Sequence, residues 1–292
     1  MTALPNELGE VLRTLGASVS ALGDHINEIV LVGGVAVALY RRSVTGANPR
    51  TPPLMTFDID MAVPEQFQSP HEPCVHDKLT RAGFSASCRG SGEMPITQYH
   101  RSSGDGHSSP IYLEFIAPRR GGAFSRAGKG KSVIQVERDL HAQTDPYVGL
   151  LLYSNRLLHV SHVPEMLISG DVSIRLPNPI LYVLQKALIR KNRNASKQDN
   201  DAGHIYDIAL TTRPVWQSLA KDLVAAKECR VLSKTWFKNA QRTLDDMFAS
   251  DMASGSIGAA AVFKTAVGDQ SPSAAAVYRV VRTFLEETGV VT

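Results

Sequence analysis

Asp58 and Asp60 stand two residues apart in a short apolar run, Phe57 to Val63, and this spacing constrains the chain more than any other feature of it. The run reads as a β-strand, on which residues two apart point to the same face. Both carboxylates then stand side by side, where they repel and are costly to bury without a cation. Upstream, Ile29-Val30-Leu31-Val32 form another buried-strand run that breaks at Gly33-Gly34, and Val35 to Tyr40 open from it as a helix. A helix N-terminus presents unpaired backbone N–H groups and the positive end of the dipole, and glycine lets an anion come close. A third acid, Glu114, is alone among the apolar residues of Tyr112-Leu113-Glu114-Phe115-Ile116, an expensive place for a charge with no partner.

Magnesium resolves the repulsion, because it takes one or two carboxylates and leaves room for phosphate oxygens and water. Metal ions held by Asp58, Asp60 and Glu114 could activate a hydroxyl and hold a leaving pyrophosphate. Taken singly, each piece has a plainer reading: a tight turn, a solvent-facing edge, a surface glutamate. Taken together and in this order, they favour phosphate chemistry.

The rest of the chain supplies a frame. Leu8, Val11, Leu12, Leu15, Val19 and Leu22 recur at helical spacing after Asn6. Val44 to Pro53 reads as a loop. Ser69-Pro70-His71-Glu72 predicts a capped helix running to about Ala82. Phe84 to Cys88, Ile96 to His100, Ile111 to Ala117 and Val133 to Val136 are strand candidates with short connections, which favours a mixed or antiparallel sheet. Residues 145–176 mix a short helix with one or two strands. From Pro179 onward the periodicity is helical, with Trp216 and Trp236 expected in the core. The expectation is an α+β fold: a catalytic domain over 1–176 on a mixed sheet with flanking helices, then an all-helical domain over 177–292, with the active site in the cleft between them.

Composition limits the setting. With 43% hydrophobic and 20% charged residues the chain can build two cores without disulfides. Cys74, Cys88 and Cys229 are odd in number and widely spaced, which suggests reduced thiols. No signal peptide and no apolar run long enough to span a bilayer is visible, so the expected location is the cytoplasm, with no membrane partner. Net charge is +3, yet 119–131 and 186–197 each concentrate cations without an anion, a pattern suited to a phosphate-bearing ligand.

Several tempting motifs fail. Gly128 to Ser132 lacks the first glycine of a phosphate loop, that place being Ser125. His71, Cys74 and His76 have no fourth ligand nearby for zinc. Arg190, Lys191 and Arg193 read as helix-end cations, and His204 and Tyr206 as packing and capping residues.

Gly33-Gly34, Thr56-Phe57-Asp58-Ile59-Asp60 and the Glu114 strand resemble the signature of the polymerase-β-type nucleotidyltransferase superfamily. Leu113 to Gly121 and Leu176-Pro177-Asn178-Pro179, with Tyr182 and Gln185-Lys186 following, are similar to an uncharacterised bacterial branch related to abortive-infection toxins. The resemblance spans roughly residues 30 to 210. It implies transfer of a nucleoside monophosphate from an NTP, ATP among them, to an acceptor that is tRNA or another RNA, a protein or a small molecule. It also implies Mg2+ as cofactor and, for a toxin, an antitoxin partner. Asp58, Asp60 and Glu114 take the catalytic and metal-binding positions. Gly33, Gly34, Thr56, Lys186, Lys197 and Asp201 take the nucleotide-binding ones, with Asp207 a rival to Asp201. Gly34 stands where Ser is commoner, which removes a hydroxyl contact to phosphate. The alternative reading is a degenerate member of the fold that binds nucleotide or RNA as a regulatory protein without turnover.

Overall fold

The computed structural model describes residues 6–43, 53–54, 58–67, 73–89, 95–101, 110–119, 133–145 and 147–291. The chain divides into two compact units, one of residues 1–35 with 56–176, the other of residues 36–55 with 177–292.

The first unit opens with α1 (Asn6–Leu22), whose stripe Leu8, Val11, Leu12, Leu15, Val19 and Leu22 is buried throughout. Then follow β1 (Val30–Val32), α2 (Gly33–Ser43), which starts in this unit and continues into the second, and β2 (Asp58–Ala62). After α3 (Val75–Arg81) come β3 (Ser85–Arg89), β4 (Ile96–Arg101), β5 (Ile111–Pro118), β6 (Val133–Glu137) and β7 (Leu140–Asp145). The unit ends with α4 (Val148–Leu152), β8 (Arg156–His159) and β9 (Ser173–Leu176). These strands form one mixed sheet in the order β3-β4-β5-β2-β1-β9-β8, with β7 pairing β5 and β6 beside that path. β2–β5, β1–β9 and β5–β7 run parallel and the other pairs antiparallel.

Two expectations change here. Of the helix expected from Ser69, residues 69–72 lie outside the described residues, and α3 begins only at Val75. Pro73 accounts for the late start: inside a helix capped at Ser69 it would have no N–H to give to the preceding turn, and the helix starts after Cys74, which is extended at φ −66°, ψ 166°. The second change is β7, a strand not foreseen. It buries Leu140, Ala142 and Thr144 in alternation, and Asp139 makes the hairpin turn at φ 61°.

The sheet has an apolar and a polar face. β5 buries Ile111, Leu113, Phe115 and Ala117 while Tyr112, Glu114 and Ile116 on the other face are not fully buried. β2 likewise buries Ile59 and Met61 completely. Tyr99, in register with Leu113, packs edge-on against Phe115 with ring centroids 6.0 Å apart. Its hydroxyl meets His76 Nδ1 at 3.2 Å, so α3 covers this apolar face. Each of these large side chains contributes roughly 1.5–3 kcal/mol by burial.

In the second unit, α5 (Pro179–Ile189) is buried along its whole length, as suits a central helix that is apolar all round. Asn178 caps it, its side chain accepting from Ile180 N at 3.2 Å, and Pro179 holds the first helical position. Around it lie α6 (Ala195–Thr211), α7 (Trp216–Glu228) and α8 (Lys234–Met247), while α9 (Ser254–Val267) and α10 (Ala274–Glu287) pack on α6. Trp216 is buried and its indole donates to Ala209 O at 3.1 Å. Trp236 is not core: it is half-buried in the first turn of α8, whose buried stripe starts at Ala240.

Residues 36–55, expected in the first domain, group with this unit, and Tyr40, Arg41 and Leu54 are anchored in it. The Tyr40 hydroxyl donates to Pro177 O at 2.8 Å, Arg41 Nη2 to Asp207 Oδ1 at 2.6 Å, and Leu54 lies against Gly203. Among the described residues, no helix is long and apolar enough to cross a membrane.

Candidate active site

The strand period places Asp58 and Asp60 on one face of β2, opposite the buried Ile59 and Met61. β5 runs parallel beside it, and Asp60 is in register with Glu114, as Asp58 is with Tyr112. In-register neighbours share a face, with strands about 4.8 Å apart. The three acids picked from sequence therefore gather on the polar face. Gln98 of β4 faces Glu114 in register, and Ser87 of β3 faces Gln98, so the row continues across four strands. The neighbouring row reads Asp58, Tyr112, His100 and Ser85.

Gly33 closes the other side of the acidic pair. Val32, the last residue of β1, pairs with Asp60, and the chain turns at once into α2. Gly33 has φ +72°, a left-handed conformation that L side chains rarely adopt, and a Cβ there would overlap Asp60 Oδ2. Glycine is thus required twice at this position, by backbone conformation and by the carboxylate packed against it. Gly34 follows in the first turn of α2. The first turn of a helix carries N–H groups with no partner inside the helix, and here it starts at the glycine packed against Asp60, a combination that suits a metal-bound phosphate chain. Thr56 lies outside the described residues.

Sequence reasoning missed what holds Glu114. Its Oε1 accepts from Arg89 Nη1 at 2.8 Å and from Gln98 Nε2 at 2.7 Å. The Arg89 side chain is half-exposed while that of Glu114 is largely covered, at 53% and 13%. A strand reading of Ile96 to His100 puts Gln98 on the face away from Tyr99, so the alternation carried a signal for Gln98. Arg89 sits at the end of β3, and only the sheet order brings it to Glu114.

The three acids on this face offer oxygen donors, the chemistry magnesium prefers, and Asp58 with Asp60 suffices for an ion that takes one or two carboxylates. Among the described residues, no three His, Cys, Asp or Glu groups converge closely enough to make a ready-built metal site. The fit is therefore to Asp58 and Asp60, with Glu114 drawn toward β4 and β3 by its two donors.

The remaining expected residues lie in the helical unit. Lys186, near the end of α5, is buried and pairs with Asp201 of α6 at 2.8 Å, while its ammonium lies 5.2 Å from the Tyr182 ring centroid. Arg193 Nε approaches the same carboxylate at 3.6 Å. Lys197 is exposed in the first turn of α6, its backbone N–H capped by Asn194 Oδ1 at 2.9 Å. Asp207 is fully buried against Arg41, and burial raises its carboxyl to about 6 although the guanidinium opposes the shift. Between the two acids, burial pushes the His204 imidazole down to about 4, with the Lys186 charge acting in the same direction. Arg190 is more than a helix-end cation: it donates to Gln198 O at 3.2 Å and Ser254 Oγ at 3.3 Å, and burial lowers its pKa.

No curated protein matches the chain. A family model described as nucleotidyltransferase matches residues 6–227, which takes in the acidic face, the Gly33-Gly34 turn and helices α5 and α6. With most of its length matched, and with three carboxylates and a glycine turn on one sheet face, the chain belongs to the nucleotidyltransferase family.

Proposed function

We propose that this nucleotidyltransferase works by a magnesium-dependent mechanism on the polar face of its sheet, moving an NMP from an NTP to an acceptor hydroxyl. The observation that carries the proposal is the packing of Gly33 against the Asp60 carboxylate, with Asp58 on the same face and Glu114 in register on β5. Asp58 and Asp60 would hold the metal, whose chemistry is to neutralise charge building up on the phosphate oxygens. The Gly33-Gly34 turn would bind the triphosphate through backbone N–H groups, and Glu114 would orient and deprotonate the acceptor hydroxyl. Lys186 and Lys197 would supply cations to the triphosphate, with Asp201 fixing the position of Lys186.

The experiment is transfer of label from each of the four α-labelled NTPs, with magnesium, to bulk tRNA, lysate protein or a set of small hydroxyl compounds. Label in one acceptor pool, lost in Asp58→Ala and in Asp60→Asn, is the expected result. Retained transfer in Asp60→Asn overturns the mechanism.

One observation supports the alternative of a nucleotide-binding protein without turnover: Glu114 is already paired with Arg89. On that reading NTP binds equally well with and without magnesium, and no pool takes label.

A further inference from the structure

The polar face brings a cation to its own acids. Asp58, Asp60 and Glu114 would carry three negative charges across two neighbouring strands, and Arg89 places a guanidinium on the same face at 2.8 Å from Glu114. Both hydrogen bonds that Glu114 receives fall on a single oxygen, Oε1, one from a charged donor and one from a neutral donor. Both donors stand on the β4–β3 side of β5, away from Asp60 on β2. A carboxylate has acceptor sites on each oxygen, so holding one oxygen fixes its orientation and leaves the other available. Charge-assisted bonds of this length are the stronger kind. Glu114 is largely covered while Arg89 is half-exposed, so solvent screens the pair mainly from the Arg89 side.

We propose that Arg89 and Gln98 form a clamp with two separable duties: both orient Glu114 for the transfer, and Arg89 in addition serves as a built-in counter-charge that weakens metal binding at Asp58 and Asp60. This rests on the functional reading above. In the first duty both are positioning residues, since they act through Glu114; in the second Arg89 acts through its charge alone. The neutral and the charged donor share one oxygen, so substitution separates orientation from charge. Arg89→Met removes both; Gln98→Leu removes orientation alone; Arg89→Lys keeps the charge and loses the planar fork.

Two readouts apply, each on the full chain. The first is Mn2+ binding, followed by loss of the free ion's paramagnetic resonance signal. Arg89→Met is expected to bind Mn2+ several-fold more tightly than the natural protein, because a nearby positive charge has gone. Gln98→Leu and Arg89→Lys should bind it as the natural protein does. The second readout is NMP transfer at saturating metal. Arg89→Met and Gln98→Leu are each expected to lower kcat about tenfold or more, as a misplaced reacting group does, with Arg89→Lys in between. A merely structural role would lower kcat and metal affinity together, with a drop in melting temperature, and that pattern overturns the proposal. So does unchanged or weaker Mn2+ binding in Arg89→Met. If the natural protein transfers no label while Arg89→Met still tightens Mn2+ binding, the functional reading fails and the counter-charge stands. If transfer is robust and neither variant alters it, the orienting duty fails and the functional reading stands.

Discussion

At Gly33 the backbone and the neighbouring carboxylate make separate demands, and two alanine substitutions tell them apart. Gly83 also has a left-handed backbone, at φ +85°, yet a Cβ there would meet nothing within 4 Å. Gly83→Ala should therefore cost only backbone strain, about 1–2 kcal/mol in urea unfolding, and leave NMP transfer unchanged. Gly33→Ala adds a collision with Asp60 to the same strain. Its unfolding free energy should fall further, and transfer should fall at least tenfold, because the displaced carboxylate is one of the proposed metal ligands. Equal behaviour of the two variants in both assays would remove Gly33 from the site. The buried Lys186–Asp201 pair yields a third residue-scale prediction. Asp201→Ala leaves an ammonium covered with no carboxylate beside it, and unfolding in urea should show a loss of about 3–5 kcal/mol.

On α6 two buried titratable groups three residues apart act with opposite signs. His204 is depressed from 6.5 to about 4, so its contribution to stability is present above pH 6.5 and is lost as pH falls through about 4. Asp207 is raised from 3.8 to about 6, so its contribution is full below pH 3.8 and is lost as pH rises through about 6. Each contributes on the order of 3 kcal/mol at most, His204 less because the residue keeps some solvent exposure. Between pH 4 and 6 they offset one another in the natural protein. Thermal melts across that window should show Asp207→Asn losing stability steeply on acidification and His204→Gln gaining it; parallel curves for all three proteins would refute the compensation.

What the sequence disclosed about these elements follows from how strong each local pattern was. The α1 stripe, the alternation of β5 and the Asp58–Asp60 spacing are written in large apolar residues at regular intervals. β7 escaped because Ala142 and Thr144 mark its buried side only weakly, and α3 was drawn too long because Pro73 was passed over. The three acids were legible as candidates. Their register and the Arg89–Gln98 clamp were not, since strand order β3-β4-β5-β2 joins segments far apart in sequence. Lys186 and Asp201 were marked as nucleotide contacts, with nothing local to tell that they pair with each other.

For the whole molecule the main fact is that the chain crosses between its two units at 35/36, 55/56 and 176/177. The residues matched by the family run to 227, leaving α8, α9 and α10 outside it. The helical unit depends on a segment from early in the chain, through the Arg41–Asp207 pair and the Tyr40–Pro177 bond. A polypeptide of residues 177–292 alone would bury Asp207 without its guanidinium. It should melt well below the same polypeptide with residues 36–55 fused to it, and equal melting temperatures would show that the segment contributes nothing.

The separation of Arg41 from Asp207 along the chain also sets a schedule for synthesis. A ribosome adding about 5–20 residues each second has 166 residues to add between these two partners. For roughly ten to thirty seconds at that pace, the helix that starts at Gly33 waits with its anchoring residues made and their partners not yet emerged. The nascent sheet can meanwhile gather its strands, but Arg41 cannot settle until α6 has left the exit tunnel. Slowing or truncating translation after β9 would then release chains in which this early helix is the exposed, protease-sensitive part.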